Sequence, residues 1–262
     1  MNEFEKVALL IDADNTQASK TEDILREVST YGRIVIKRAY GNWSKKSLAP
    51  WEKEIKRFAI SAIQQFDFAA GKNASDMALT IDAMELLYSG KYDCFVIVSS
   101  DSDFTSLAIK LHEAGVYVVG YGNKTTVESF RNACDEFNYI EDLQTSAAET
   151  ESAPPVRPDA AKEKEDGSRA QLKELDGLLQ IAEEKYADDT GFVNVSAAGS
   201  YIKRVKSDFN IRSLGYSKLP EYLKDNPQKY LVEERSGKGN AKLILFKAVK
   251  PSRKTKTTKT RS

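Results

Sequence analysis

The sequence predicts an α/β fold, in which a parallel β-sheet is covered by helices on both faces, followed by a small winged-helix domain. Short apolar runs alternate with segments of helical periodicity as far as residue 143, and this alternation is typical of a parallel sheet. Two of the runs, Val7–Ile11 and Phe95–Val98, are continuously apolar, as in strands buried on both faces. After a polar segment, three helical segments precede two strands, which is the order of a winged helix.

The elements of the first half follow from their apolar spacing. Strands are predicted where β-branched and aromatic residues run together or alternate, and helices where apolar residues recur on one face. In order, these are strand Val7–Ile11, helix Thr21–Tyr31, strand Ile34–Tyr40, helix Trp51–Ile63, a short strand Gln65–Ala69, helix Ser75–Leu87, strand Phe95–Val98, a helix from Phe104 to Leu111, strand Val116–Tyr121, helix Val127–Cys134 and strand Phe137–Ile140.

The second half begins with a change of composition. Residues 144–170 are dominated by Ala, Pro, Glu, Lys and Ser, which cannot bury a core, and we interpret them as a flexible linker. Residues 171–249 form the winged-helix domain, and the basic tail 250–262 is predicted to be disordered. The predicted elements of the winged-helix domain are a helix through Leu172–Ala182, a short extended piece before Ser196, a second helix through Tyr201–Val205, a third from about Ser217, and strands Tyr230–Glu234 and Lys242–Lys247 joined by a glycine-rich turn.

The net charge of zero over 262 residues conceals an asymmetry between the two halves. Residues 1–143 hold 16 Lys and Arg against 22 Asp and Glu, and the remainder holds 23 against 17. This split favours an acidic, metal-binding half and a basic half that meets nucleic acid. No apolar run approaches the length of a membrane span, and the acidic N-terminus is unlike a secretory signal. Cys94 and Cys134 form no CxxC pair, so we expect a reducing, cytoplasmic location.

Aspartates occur at three places where strands end or a helix begins. Asp12 and Asp14 follow the first strand and Asp101 and Asp103 follow Val98, while Asp76 and Asp82 lie around the start of a helix. Carboxyl ends of neighbouring parallel strands share one crevice, and clustered carboxylates suit Mg²⁺ or Mn²⁺. A simpler interpretation is that Asp101 or Asp103 caps a helix, which explains one aspartate better than two. The single histidine, His112, is in a helix away from these acids, so any hydrolytic chemistry must depend on a metal.

The segments ALLIDADN, KNASDMALTID and VIVSSDSDF resemble the three motifs of NYN domains, which are PIN-like metal-dependent ribonucleases, and especially their LabA-like branch. The resemblance covers residues 5–143. It implies that Asp12, Asp76, Asp101 and Asp103 form a catalytic Mg²⁺ or Mn²⁺ site, and that Asn15 orients the first acid or the phosphate. Asp14 and Asp82 are further candidate ligands, although Asp82 lies about 240° around the helix from Asp76. The implied reaction is RNA hydrolysis that leaves a 5′-phosphate.

Residues 171–249 resemble the OST-HTH or LOTUS domain through GFVNVSAAGSYIKRV, FNIRSLGYSKLPEYL and the hairpin. The resemblance implies binding of RNA or of a protein partner. Aromatic and basic residues in both halves could contact RNA by stacking on bases and by pairing with phosphates. For each residue taken singly, a packed aromatic side chain or a solvated basic one is an equally simple interpretation. The candidates are Trp43, Trp51, Lys45, Lys46, Lys72, Lys203, Arg204, Arg212, Tyr216 and Lys218.

Two other functions remain open at this point. DADNT at residues 12–16 fits the opening motif of haloacid-dehalogenase-like phosphatases, but the serines and the late acid pair then follow one strand together, which is the wrong order. The stronger alternative is a non-catalytic RNA-binding adaptor, whose carboxylates cap helices or hold metal weakly. A dinucleotide-binding function lacks GxGxxG after the first strand.

Overall fold

The computed structural model describes residues 4–66, 74–143, 158–236 and 242–249, with the backbone alone for residues 158–169. Lys72, the segment 144–157 and the tail 250–262 therefore lie outside the described residues, as does the predicted turn at 237–241. The chain divides into two compact units. The first comprises Met1–Pro155 with Lys203–Asn210, and the second comprises Val156–Ile202 with Ile211–Ser262.

The first unit contains a six-stranded sheet in the order β3-β2-β1-β4-β5-β6, with every neighbouring pair parallel. This confirms the predicted parallel α/β fold. Its strands are β1 Phe4–Asp12, β2 Gly32–Gly41, β3 Ser61–Gln64, β4 Cys94–Val98, β5 Tyr117–Gly122 and β6 Glu136–Tyr139. The helices between them are α1 Thr21–Val28, α2 Trp51–Phe58, α3 Ala74–Tyr88, α4 Thr105–Glu113 and α5 Glu128–Ala133.

Two apolar cores cover the two faces of this sheet. Alternate residues of β1 point to opposite faces: Leu9 and Ile11 pack in the core that includes Ile24 of α1, whereas Ala8 and Leu10 pack in the core that includes Leu79 of α3. All five residues of β4 are buried. The continuous apolar runs of β1 and β4 are explained by this position at the centre of the sheet, with helices on both sides.

Helix α2 in the first unit is shorter than predicted. Helix α2 ends at Phe58, because Ala59 adopts the left-handed conformation (φ 50°) and the Ile60 N–H bonds back to the Ile55 carbonyl at 3.1 Å. The chain then enters β3 at Ser61, so the predicted helix to Ile63 is too long. Most of the predicted strand Gln65–Ala69 lies outside the described residues. A non-glycine residue in the left-handed region is not signalled by apolar periodicity.

The second unit, considered by itself, has the helices and antiparallel strands of a winged helix. They are α6 Pro158–Tyr186, β7 Val193–Asn194, α7 Val195–Val205, α8 Leu219–Asp225, β8 Tyr230–Ser236 and β9 Lys242–Ala248, with sheet order β7-β9-β8. The last three residues of α7 are assigned to the first unit. Leu175, Leu179 and Ala182 of α6 are fully buried, as their spacing predicts. Helix α6 begins at Pro158, inside the predicted linker 144–170. Within the described residues, no helix is long and apolar enough to cross a membrane.

Candidate metal centre

The acidic motifs lie where the connections of the sheet change direction. From β1 the chain builds outward through β2 and β3, and it then returns to place β4 on the other side of β1. The carboxyl ends of β1 and β4 are adjacent, since Ile11 pairs with Val98. In open α/β sheets, ligands bind in the crevice outside the carboxyl ends of the strands at such a switch point. The two strand-end motifs therefore meet as the sequence predicts.

Three carboxylates converge in this crevice. Asp76, Asp101 and Asp103 each offer one oxygen, and these oxygens lie within 4.8 Å of one another. Asp76 is in the first turn of α3, while Asp101 and Asp103 belong to the turn that follows β4. Oxygen donors at this spacing suit a hard divalent cation such as Mg²⁺ or Mn²⁺, which carboxylates and water normally surround. The residues present therefore fit the metal that the motifs imply.

The clustering has an electrostatic cost, which falls on Asp76. Burial and then the charges of Asp12, Asp101, Asp103 and Asp14 raise the pKa of Asp76 from 3.8 to about 6. A carboxyl group that is half-buried among like charges resists ionisation. A bound cation would remove this repulsion, so the site favours metal binding on charge as well as on geometry.

Asp101 also makes the capping interaction considered above. Its Oδ1 accepts a hydrogen bond from the Asp103 backbone N–H at 3.0 Å, and its own N–H donates to Ser99 Oγ at 3.0 Å. The cap explains the orientation of one acid of the group, Asp101. Capping and membership of the carboxylate group are therefore compatible.

Asp12 lies beside this group, and its carboxylate is held by polar neighbours. It is almost completely buried, and its Oδ2 accepts hydrogen bonds from Ser99 Oγ at 2.7 Å and from Asn15 Nδ2 at 2.8 Å. Burial raises the pKa of Asp12, and the bonds from Ser99 and Asn15 oppose that rise. Asn15 therefore contacts the first acid, as one of the two roles expected for it requires. Ser99 was not predicted, although it adjoins the SDSD motif.

Asp14 connects the first motif to two other segments. Its Oδ2 accepts a hydrogen bond from Ser75 Oγ at 2.8 Å, and its Oδ1 forms an ion pair with Lys45 Nζ at 3.2 Å. Ser75 precedes Asp76 in the first turn of α3, so the bond ties that turn to the end of β1. Asp14 contributes to the charge around Asp76, and the geometry gives it a holding role.

Asp82 is a predicted ligand whose carboxylate contacts strand β2. It forms an ion pair with Arg38 and accepts a hydrogen bond from the Tyr40 hydroxyl, and both of these partners lie on β2. Asp82 lies about one and two-thirds turns beyond Asp76 on α3, which explains why the two carboxylates face different neighbours. The geometry gives no support to Asp82 as a metal ligand. Sequence reasoning identified neither Arg38 nor Tyr40, because strand residues distant in sequence carried no motif.

Comparison with known protein families agrees with this geometry. The profile of the NYN domain matches residues 6–141 of the chain. The chain belongs to the NYN domain family. A second profile, that of the OST-HTH/LOTUS domain, matches residues 166–241. Both resemblances stated from the sequence are thereby confirmed, in the predicted order. NYN domains have a nuclease-like fold, and the OST-HTH/LOTUS domain indicates RNA binding.

Solved structures similar to the chain carry little functional description. A protein of unknown function from Vibrio parahaemolyticus is 20% identical over 52% of this chain and 93% of its own, with a TM-score of 0.43. An uncharacterized protein from Nitrosomonas europaea is 24% identical over 40% of this chain and 85% of its own (TM-score 0.26). MurG from Acinetobacter baumannii is 10% identical over 59% of this chain and 47% of its own (TM-score 0.36). None of the curated proteins compared with the chain matches it.

The candidate RNA contacts of the NYN domain have different surroundings. The indole N–H of Trp43 donates to the Ile63 carbonyl at 3.0 Å, and its ring packs edge-on against Trp51, which is almost fully buried. These contacts give both tryptophans a packing role beneath the loop. Lys45 is held by Asp14 beside the metal centre, and Lys46 is exposed.

The candidate RNA contacts from α7 onward are mostly exposed. Lys203, which belongs to the first unit, forms an ion pair with Glu136. Arg204, Arg212 and Lys218 are exposed. Tyr216 is half-buried, with its ring against Tyr222 at a centroid distance of 5.2 Å. Arg212 and Lys218 are thus the exposed basic candidates of the second unit.

Proposed function

We propose that this protein is a metal-dependent ribonuclease whose NYN domain hydrolyses RNA and whose OST-HTH/LOTUS domain holds it. The observation that carries this proposal is the convergence of Asp76, Asp101 and Asp103 within 4.8 Å at the switch point of the sheet. Membership of the NYN family supports it, because NYN domains are generally ribonucleases. The activity would be that of a hydrolase acting on phosphodiester bonds.

In this proposal, some residues of the site bind the metal and others orient the metal-binding residues. Asp76, Asp101 and Asp103 would hold Mg²⁺ or Mn²⁺, with Asp12 as a fourth ligand. When bound, such a metal activates water and stabilises charge on the phosphodiester. Ser99 and Asn15 keep the Asp12 carboxylate oriented. Lys45 places a positive charge beside the acids, where it can meet a substrate phosphate.

RNA affinity is assigned mainly to the second half of the chain. The NYN half has an excess of acids, whereas residues 144–262 hold 23 Lys and Arg against 17 Asp and Glu. Phosphate contacts dominate nucleic-acid affinity and depend on such positive charge. RNA held by the second half of the chain would have a raised effective concentration at the NYN domain. We also predict that the OST-HTH/LOTUS domain can bind a protein partner. The LabA-like branch of the family and a cytoplasmic location are further predictions.

Two rival functions draw on particular residues. A non-catalytic RNA-binding adaptor is favoured by the cap that Asp101 forms on the Asp103 N–H, because that cap gives an acid of the motif a structural role. A haloacid-dehalogenase-like phosphatase needs a free first aspartate as nucleophile. The Asp12 carboxylate is instead buried and bonded by Ser99 and Asn15, which disfavours a nucleophilic role.

Cleavage of labelled single-stranded RNA with Mn²⁺ or Mg²⁺ tests the proposal. We expect metal-dependent cleavage by the natural protein, its loss with EDTA, and its loss in Asp101→Asn, because one ligand oxygen of the group is then neutral. Glu113→Gln is the matched control, since Glu113 is an exposed acid of α4 that contacts Lys110. RNA binding without turnover by the natural protein would favour the adaptor. Full cleavage by Asp101→Asn would refute the assignment of the site.

A further inference from the structure

We infer that Asp82, Arg38 and Tyr40 are positioning residues that set the rotation of α3 and thereby bring Asp76 to Asp101 and Asp103. This inference rests on the proposed function, because it concerns the same metal centre. It replaces the expectation that Asp82 is a ligand. None of the three residues needs to touch the metal for the role described here.

The apolar residues of α3 do not by themselves define which side of the helix faces the sheet. Leu79, Ala83 and Leu86 are buried, but Met77, Ile81 and Tyr88 are 61%, 54% and 79% exposed. A helix that is apolar around its circumference can bury one side almost as well as another. Hydrophobic burial is non-directional, so a different rotation of α3 would cost little in apolar packing. It would, however, move Asp76 out of the carboxylate group, since one residue corresponds to about 100°.

Directional polar contacts define the rotation of α3, which the apolar contacts leave undefined. Asp82 uses one carboxylate oxygen for Arg38 and the other for Tyr40. The side chain of Asp82 is 19% exposed and Tyr40 is fully buried, so water cannot readily replace these partners. Burial and the neighbouring Asp82 raise the pKa of Tyr40, so its hydroxyl remains a donor at neutral pH. Charge-assisted bonds of this kind are short-ranged and orientation-dependent.

The same residues are connected to the first motif. The Tyr40 carbonyl accepts the Ala13 N–H at 2.9 Å, between Asp12 and Asp14. At the start of α3, Ser75 bonds to Asp14 at 2.8 Å. Helix α3 is therefore held at two points about 10 Å apart along its axis, and Asp76 lies next to the first. The ends of β1 and β2 thus act as the frame against which the third carboxylate is placed.

Mn²⁺ binding by the full-length protein, measured by calorimetry, distinguishes a positioning role from ligation. We expect Tyr40→Phe to weaken Mn²⁺ binding by roughly 3- to 10-fold, the worth of one hydrogen bond, although the Tyr40 hydroxyl bonds to Asp82 and is not part of the carboxylate group. Tyr31→Phe is the matched control, because the Tyr31 hydroxyl bonds to Asn138 away from α3. Unchanged Mn²⁺ affinity in Tyr40→Phe would overturn the inference.

Arg38→Gln separates the two roles of Asp82 by the sign of its effect. If Asp82 positions α3, Mn²⁺ binding weakens when Arg38 is removed. If Asp82 is a ligand, binding strengthens, because a competing cation is gone. Arg33→Gln removes a similar charge from an exposed position on β2 and controls for the general field. Tighter binding by Arg38→Gln than by Arg33→Gln would overturn the inference.

Crystal structures of the natural protein and of Tyr40→Phe provide a readout that needs no metal. We expect the Asp76 carboxylate to leave the 4.8 Å group in the variant, and an unchanged α3 would overturn the inference. If the natural protein binds no Mn²⁺, the proposed function fails, while the position of α3 in the variant still decides the inference.

Discussion

Replacing Asp76 by Asn should stabilise the metal-free protein at neutral pH and leave its stability unchanged in acid. The folded protein raises the pKa of Asp76 from 3.8 to about 6, so the folded state prefers the protonated carboxyl group. As pH rises from about 4 to about 6, the natural protein therefore loses stability that Asp76→Asn keeps. Above about pH 6 the full difference is present, and below about pH 4 it vanishes.

The size of this effect follows from the shift after allowance for solvent. About two pKa units correspond to roughly 3 kcal/mol at 1.36 kcal/mol per unit. Asp76 is only half-buried, and solvent screens its repulsion by neighbouring acids, so we expect about 1–2 kcal/mol. The neutral amide keeps the size of the side chain, which limits any compensating loss of packing.

Urea unfolding in EDTA at pH 4 and at pH 7.5 measures the difference, with Glu113→Gln as the exposed-acid control. Adding Mn²⁺ at ten times its dissociation constant should stabilise the natural protein by about 1.4 kcal/mol and Asp76→Asn by less, because a ligand is lost. Equal stability of the natural protein and Asp76→Asn at both pH values would refute the electrostatic reasoning. A larger gap at pH 4 than at pH 7.5 would reverse its sign.

Two further predictions concern RNA binding. Substituting Arg212 and Lys218 by Gln should weaken RNA binding and make it less salt-dependent. Each lost phosphate contact lowers the slope of log affinity against log salt concentration by about one. Fluorescence titrations at several salt concentrations measure this slope, and the same slope as in the exposed-lysine control Lys173→Gln would contradict the prediction. Trp43→Phe should destabilise the NYN domain by about 1 kcal/mol through loss of the hydrogen bond to Ile63 and leave RNA affinity unchanged; weaker RNA binding in that variant would restore Trp43 as a stacking residue.

The parallel sheet could be predicted because the information is local. The apolar runs of β1 and β4 are uninterrupted, since helices cover both of their faces, and each ends abruptly at polar residues. The convergence of Asp12 with Asp101 required only that the two strands be neighbours, which is the usual outcome at a switch point. The end of α2 could not be predicted, because the left-handed Ala59 is not a residue type that normally marks a helix end.

The contrast between Asp76 and Asp82 shows where reasoning from a motif stops. Both acids lie on α3 within one matching segment, and helical geometry indicates only that they face different directions. Which of them meets the carboxylates after β4 depends on the rotation of the helix, and that rotation depends on Arg38 and Tyr40, residues of another strand. Because the outer face of α3 is apolar as well, the hydrophobic pattern could not supply the missing angle. Contacts of Asp82, which lies outside the metal centre, thus decide which acid of α3 joins the carboxylate group. For this reason, loss of the Tyr40 hydroxyl should weaken metal binding.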